Sequence, residues 1–380
     1  MKTKEMELYV HIPFCAQKCK YCDFCSFQTS KEQIDSYIIQ LKKELLQWAS
    51  FCKDRMISTV FIGGGTPSFI EAWYIEMICQ MIRERFVLKS NAEITIEANP
   101  GTVSLSKLKS YKKAGINRIS FGLQSTRKEE LEYLGRIHTY DQFLQSFEMA
   151  RKAGFENINV DLMSAIPKQN VHTYEETLRK IAKLRPEHIS AYSLIIEEGT
   201  PFYEDKHLME YLPSEEEEVL MYQMTGKILK EYGYQKYEIS NYAREGYDCQ
   251  HNLGYWSQIS YLGVGLGASS YLGGKRFDRT KHMEEYLKIQ DFSKEYEQAK
   301  ELSVHEEMEE FMFLGLRKTK GISVKKFYQC FGKKIEDVYG TVIEKAIKDG
   351  LMKRDGQWLS LTEAGVLVSN QVLCEFLLDV

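Results

Sequence analysis

Through the first two-thirds of the chain, short apolar runs alternate with longer amphipathic segments. Leu8–Ile12, Thr59–Ile62, Glu93–Glu97, Arg118–Phe121, Asn157–Asp161 and His188–Ser193 are rich in Ile, Val, Phe and Tyr, a pattern that predicts strands. Between them, Lys31–Phe51, Ile70–Arg85, Ser104–Ala114, Tyr140–Ala153 and Thr173–Leu184 carry apolar residues at helical spacing. Such alternation implies a parallel sheet, because neighbouring parallel strands need a crossover and the helix supplies it. Six units of this kind favour an α/β fold of partial (β/α)6 TIM type over an open, doubly wound sheet.

After the last strand the pattern changes. Ser214 and Glu217 have the spacing of a capping box, which opens a helix and makes Glu215–Glu218 a solvated N-terminal turn rather than a metal site. Ser303 and Glu306 repeat the device. Beyond it, Met308–Leu316 and Ile335–Asp349 read as helices and Gly350–Leu361 as a hairpin turning at Asp355-Gly356. The expected division is residues 1–240 as the barrel, 241–302 as a connecting segment with its own motif, and 303–380 as a small helical, winged-helix-like domain.

Composition narrows the function classes. Among 380 residues, 50 Lys and Arg oppose 54 Asp and Glu, a formal charge of −4. A nucleic-acid binder usually carries a basic excess, so no nucleic-acid partner is expected and the winged-helix-like unit reads as a packing or interaction module. No apolar run approaches a membrane span. The charged lead Met1–Glu7 lacks the apolar centre of a signal peptide, so a cytoplasmic location is expected.

Four of the nine cysteines crowd between Cys15 and Cys25, which suits a metal or cluster site better than a disulfide framework. Cys15, Cys19 and Cys22 follow the first strand as C-x3-C-x2-C, at the end where α/β barrels place their chemistry. Three thiolates can hold three irons of a [4Fe–4S] cube. The fourth iron is then free to take the amino and carboxylate groups of S-adenosylmethionine (SAM), and an electron from the reduced cluster can cleave the S–C5′ bond. The alternative is a zinc site that recruits Cys25. Zinc ligands usually come as two short pairs from separate loops, so four from one stretch of 11 residues would be unusual.

Other residues gather at the same ends of the strands. Gly63-Gly64-Gly65-Thr66-Pro67 follows the second strand, where glycines let a ligand approach the backbone and expose N–H groups. It lacks the Gly-Lys-Ser/Thr ending of a phosphate-binding loop. Glu97, Gln124 and Asp161 end later strands and form a candidate wall for ribose and amine groups, and Arg136 is placed to pair with a carboxylate. Gly263, Gly265 and Gly267 lack the spacing of a dinucleotide fingerprint and read as a tight turn.

Taken together, these motifs resemble the oxygen-independent coproporphyrinogen III oxidase (HemN-like) branch of the radical SAM superfamily, and within it the heme chaperones. The resemblance runs over nearly the whole chain, from Tyr9–Cys15 and the cysteine triad with Tyr21 through Gly63–Pro67, Ile96–Pro100, Phe121–Gln124 and Asp161–Gln169 to Gly350 and Leu361–Gly365. It implies a cluster on Cys15, Cys19 and Cys22, with SAM touched by Tyr9, Gly64 and Glu97. Tyr21, Gly65, Thr66, Gln124, Arg136 and Asp161 match positions that contact a second SAM in the oxidase. Two departures separate this chain from the oxidase. Phe24 stands where the oxidase has a fourth cysteine, with Cys25 one residue late, and only 14 residues precede Cys15, too few for the oxidase's substrate lid. His251-Asn-Leu-Gly-Tyr255-Trp256 matches the H-N-x-x-Y-W motif of the heme chaperones. Imidazole is a common axial ligand of heme, and Tyr255 and Trp256 offer flat faces to a porphyrin. Cys249 is a second candidate ligand. The resemblance thus implies a chaperone that binds heme and hands it to heme-accepting apoproteins, membrane-associated respiratory ones among them, with the cluster governing transfer or a homodimer. The competing expectation is radical decarboxylation of coproporphyrinogen III.

Overall fold

The computed structural model of the chain describes residues 4–378. Met1–Thr3 of the charged lead lie outside them. Six strands, β1 (Lys4–Ile12), β2 (Arg55–Gly64), β3 (Val87–Ala98), β4 (Arg118–Gln124), β5 (Ile158–Ser164) and β6 (His188–Ser193), pair in sequence order and all in parallel. The crossovers carry α1 (Lys31–Phe51), α2 (Ala72–Arg85), α3 (Leu105–Lys113), α4 (Lys128–Tyr133), α5 (Tyr140–Lys152) and α6 (Val171–Leu184). This is the partial (β/α)6 barrel that the alternation predicts. The short α4 escapes the periodicity because six residues give too few turns to register a pattern.

Both edges of the barrel are extended by the segment after residue 230. Asn241–Ala243 adds an antiparallel strand beside β6. Tyr261–Val264 joins on the opposite side, parallel to β1, and leads into the antiparallel strands Ser269–Leu272 and Lys275–Asp278. The three glycines around residue 265 serve this turn. A Cβ on Gly263 would lie 2.1 Å from the Ser269 carbonyl oxygen, and Gly265 has φ +99°.

Alternation along the strands separates two environments. Leu8, Val10 and Ile12, then Ile119, Phe121 and Leu123, then Ile158, Val160 and Leu162 pack into the main apolar core. The residues between them are polar and equally buried: Glu7 and His11, Arg118, Ser120 and Gln124, Asn159, and His188. The interior of the barrel is therefore a polar chamber wrapped in an apolar shell.

The C-terminal unit has a separate core, including Met308, Phe311, Phe327, Tyr339, Leu359 and Phe376. Its helices Val304–Gly315, Val324–Phe331 and Ile335–Lys348 pack with a three-stranded sheet. Both capping boxes form: Ser214 and Glu217 bond reciprocally, as do Ser303 and Glu306. The hairpin turns on Gly356 and Gln357, one residue later than expected, because Asp355 pairs with Trp358 and Gly356 takes the left-handed conformation (φ +54°).

A buried ion pair fixes the added strands to the barrel. Glu44 of α1 accepts from Arg279 Nε, from the Gly265 backbone N–H (2.9 Å) and from the Tyr286 hydroxyl (2.7 Å), with both charged side chains sealed from solvent. Removing Glu44 leaves the buried Arg279 with Glu295 as its remaining carboxylate and strips the Gly265 N–H and the Tyr286 hydroxyl of their acceptor. Glu44→Ala is expected to cost about 3–5 kcal/mol, measured by urea unfolding. A loss below about 1 kcal/mol, the range of an exposed pair, would contradict this role.

Candidate functional site

Two backbone hydrogen bonds place the cysteine loop. Gly65 N–H donates to the Ile12 carbonyl and Thr66 N–H to the Phe14 carbonyl, both at 2.8 Å. The approach is so close that a Cβ on Gly65 would lie 2.9 Å from Phe14 backbone atoms and 3.0 Å from Cys15 Sγ. Gly64 has φ +115°, and a Cβ there would strike the His11 ring at 2.6 Å. Its N–H donates to Glu97 Oε2 (3.1 Å). The glycines thus serve loop-to-loop packing, and the N–H groups of Gly64, Gly65 and Thr66 are spent within the protein rather than exposed to a ligand.

Cys15, Cys19 and Cys22 line one cavity of about 340 Å³ at the C-terminal mouth of the barrel. Each thiol has a polar neighbour: Thr66 Oγ1 at 3.4 Å, Arg136 Nη1 at 3.5 Å and Ser26 Oγ at 3.9 Å, respectively. Burial pushes the Cys15 and Cys22 thiols above their ordinary pKa, so a bound metal is what would hold them as thiolates. Cys25 lines a different cavity, where its thiol faces the Lys281 carbonyl at 3.8 Å. Three thiols in one chamber with the fourth outside suit a cube with one open corner better than a four-ligand zinc ion.

The wall opposite the thiols comes from β2 to β6. Tyr21, Gly64, Gly65, Thr66, Glu97, Gln124, Arg136 and Asp161 all line this cavity. Burial, then the nearby Asp161, raises Glu97 to about 8. Asp161 is also raised by burial, partly offset by donors that include Asn159 Nδ2 (2.7 Å) and Ser120 Oγ (3.1 Å). Gln124 holds a left-handed backbone (φ +72°), a conformation that costs on the order of 1–3 kcal/mol, and its Oε1 accepts from the Tyr192 hydroxyl at 2.9 Å. Arg136 donates through Nη2 to Asn99 Oδ1 (2.7 Å), while its buried Nε has no protein partner. A free guanidinium N–H beside neutral and acidic acceptors fits an amino-acid ligand bearing both carboxylate and amine. Asn99 and Tyr192 were not singled out from the sequence. Asn99 closes the Ile-Glu-Ala-Asn-Pro segment, but its bonds to Arg136 and Thr66 depend on three separate loops.

Tyr9 is placed elsewhere. Its hydroxyl donates to His11 Nδ1 (3.0 Å), and with Tyr255 and Trp256 it lines a second cavity of about 490 Å³. Phe24 borders both cavities. The second is an aromatic groove with Tyr261 and Leu314 in its walls and Arg276 and Lys281 among its lining side chains.

His251 lies behind that groove rather than on its surface. It sits on the helix Gln250–Trp256, is 2% exposed and stacks on Phe61. Its Nε2 bonds the Tyr255 hydroxyl (2.9 Å) and its Nδ1 bonds Thr59 Oγ1 (2.7 Å). Burial and then the charge of Arg118 lower its pKa to about 3, so the ring is neutral. Beside it stands Glu7, with Oε2 3.9 Å from Nδ1 and otherwise unpartnered. Gly254 lets the helix press on this carboxyl, since a Cβ there would overlap Glu7 Oε1 at 1.8 Å. Cys249 is fully buried, with its thiol toward Glu93 Oε1 at 3.6 Å.

Two outcomes follow. Gly65→Ala forces the two loops apart at an overpacking cost of about 1–3 kcal/mol, and the refilled protein is expected to hold less iron and sulfide while far-UV dichroism stays native. Full cluster content would overturn the packing argument. Burial raises Glu7 from 4.5 to about 9, so the folded chain keeps a proton that the unfolded chain releases above about 4.5. Stability contributed by this group is complete below that pH and is lost as pH climbs to about 9. Glu7→Gln should flatten that slope and stabilise the cluster-free chain at pH 8 by on the order of a few kcal/mol, read from urea unfolding across pH. An unchanged slope would count against it.

Comparison with known proteins agrees with this geometry. The Radical SAM superfamily matches residues 9–181, and the HemN C-terminal domain matches residues 302–368. The heme chaperone HemW of Bacillus subtilis (strain 168) is 37% identical, over 97% of this chain and 98% of that protein. The heme chaperone HemW of Lactococcus lactis (strain IL1403) is 38% identical, over 100% and 99%. Among solved structures, the coproporphyrinogen III oxidase HemN from Escherichia coli, a radical SAM enzyme, superposes with a TM-score of 0.84 at 24% identity, covering 98% of this chain and 90% of that one. That likeness establishes the shared fold. With both domains matched and relatives above 30% identity along its full length, the chain belongs to the HemW family of radical SAM proteins.

Proposed function

We propose that this protein is a heme chaperone, which carries heme in the aromatic groove beside a SAM-coordinated [4Fe–4S] cluster and releases it to acceptor apoproteins. The observation that carries the reading is the pair of cavities that Phe24 borders: one lined by three thiols and a polar wall, the other by aromatic rings with Lys281, Asp23 and an Arg276 paired to Glu310. A flat, largely apolar macrocycle matches the aromatic faces of the second cavity, with Lys281 the lining cation available to a carboxylate. The HemW relatives carry the name heme chaperone over their full length.

Within this reading Cys15, Cys19 and Cys22 hold the cluster. Tyr21, Gly64, Gly65, Thr66, Glu97, Gln124, Arg136 and Asp161 form the SAM side, and Tyr9 lies on the groove side. The cluster with SAM supplies a redox-sensitive centre next to the heme. The chain's own part is to orient SAM through Arg136 and Asp161, to keep water from the thiols, and to shield the porphyrin faces with Tyr255 and Trp256. His251 supports the groove from behind. Acceptors are heme-binding apoproteins, membrane-associated ones included. Action in the cytoplasm and a cluster-dependent homodimer belong to the same proposal. No described helix is long and apolar enough to cross a membrane.

The complete polar wall also favours a second reading, anaerobic decarboxylation of coproporphyrinogen III, since that wall is what a SAM-cleaving site requires. One experiment separates them. Anaerobically refilled protein is titrated with heme and, in parallel, given SAM, reductant and coproporphyrinogen III. Saturable heme uptake without loss of carbon dioxide is the expected outcome. Decarboxylation would replace the chaperone reading with the oxidase.

A further inference from the structure

The chain crosses from one edge of the barrel sheet to the other through the helix Gln250–Trp256. It leaves the strand Asn241–Ala243 beside β6 and enters the strand Tyr261–Val264 beside β1. The residues of this helix meet both cavities. Asn252 lines the cavity of the three thiols, while Tyr255 and Trp256 line the aromatic groove. Residues three and four apart share one helical face, so a single face serves both cavities, with the groove residues about one turn, roughly 5 Å, further along. His251 pins the helix between them, bonded to Thr59 of β2 and to the Tyr255 hydroxyl. Gly254 lets the next turn close on Glu7 of β1.

The amide of Asn252 is left free by the helix that carries it. It stands third after the capping residue, where a polar side chain can return to the cap's backbone N–H. The cap here is Cys249, whose N–H donates instead to the Tyr237 hydroxyl at 3.2 Å. Among the described residues none forms a hydrogen bond with the Asn252 side chain, and neither amide atom is sealed, so the amide faces the cavity it lines. It does so from below. His251, its neighbour, is attached at Thr59, five residues before Gly64 on β2 and thus about 16 Å lower along the strand. The cavity therefore runs from the thiols at the mouth of the barrel down to Asn252.

Resting on the reading of this cavity as the SAM site, we infer that Asn252 contacts the adenosyl end of SAM. The methionyl end belongs at the mouth, where the open corner of the cluster takes its amine and carboxylate and Arg136 stands beside Cys19. An elongated ligand fixed there reaches the floor with its nucleoside. An asparagine amide offers a donor and an acceptor side by side, the complement of an adenine edge, and either atom also suits a ribose hydroxyl. The histidine-to-tryptophan motif then divides its work: Asn252 reads SAM, Tyr255 and Trp256 face the groove, and His251 joins the two.

The test is equilibrium dialysis of SAM against full-length, anaerobically refilled protein. Asn252→Ala is expected to weaken SAM about tenfold, the loss of one or two hydrogen bonds, and S-adenosylhomocysteine by the same factor, since both carry the adenosyl group. Heme uptake and near-UV dichroism should stay native, whereas a purely structural role would lower them together with SAM affinity. Asn252→Asp, which keeps the size and an acceptor but loses the donor, should lose less affinity and serves if the alanine variant fails to fold. Two analogues locate the contact. If the alanine substitution no longer matters with the inosyl analogue of SAM, the amide reads the base; if it no longer matters with the 2′-deoxy analogue, the amide reads the ribose. Unchanged SAM affinity in both variants, or a full loss that persists with both analogues, would overturn the assignment. A wild type that binds no SAM removes the reading of the cavity and this inference with it. One that binds SAM but no heme removes the chaperone reading alone.

Discussion

The site depends on one close contact, the backbone of Gly63–Thr66 lying against the backbone of Ile12–Cys15. Two hydrogen bonds at 2.8 Å hold the loops together, and glycine is required because a Cβ at residue 65 would meet both Phe14 and Cys15 Sγ. The position of Cys15, and through it the triad, is therefore set by main-chain geometry at the ends of β1 and β2. Side-chain packing adds to it, since Phe14 is fully buried and meets Phe27 and Tyr37 edge-on. A cluster ligated by three residues of one loop needs such an external brace, since the loop has few regular hydrogen bonds of its own.

The second constraint is the polar interior. Burying Glu7, Arg118, Asn159, Asp161 and His188 within one barrel is costly unless each finds a partner. Most do: Asn159 links Ser120 and Asp161 on one side to His188 on the other, and His188 continues to the Tyr237 hydroxyl. Among the buried atoms left without a protein partner, Arg136 Nε lies at the cluster cavity and Glu7 Oε2 behind the groove, where a bound group would change the local charge. Native interiors tolerate such exceptions mainly at functional positions.

The C-terminal unit is tied to the same region. Arg317 lies over the Trp256 ring (5.1 Å), Lys318 Nζ donates to Ser257 Oγ (3.1 Å), and Arg276 pairs bidentately with Glu310 (2.8 Å). The helix bearing the histidine–tyrosine motif is thus clamped between the barrel, through Glu7 and Thr59, and the unit that follows. The contacts are polar and ionic, which favours a defined docking geometry over a fused apolar core, and the two units keep separate cores.

Much of this was legible in the chain itself. Strand–helix alternation determined the parallel barrel, because periods of two and of 3.6 are local properties of the backbone. The C-x3-C-x2-C spacing determined the cluster loop, since ligands within eight residues need no tertiary information to be recognised together. Both capping boxes were readable for the same reason. Three things were decided only in the fold. The glycines after β2 turned out to serve packing, Tyr9 faced the groove instead of the cluster cavity, and His251 turned inward with both nitrogens engaged. Each depends on which face of a strand or helix meets an element far along the chain, such as Glu7 against Gly254. Spacing alone carries no record of that distance, because contact across the barrel is set by the closure of the sheet and not by neighbours in sequence.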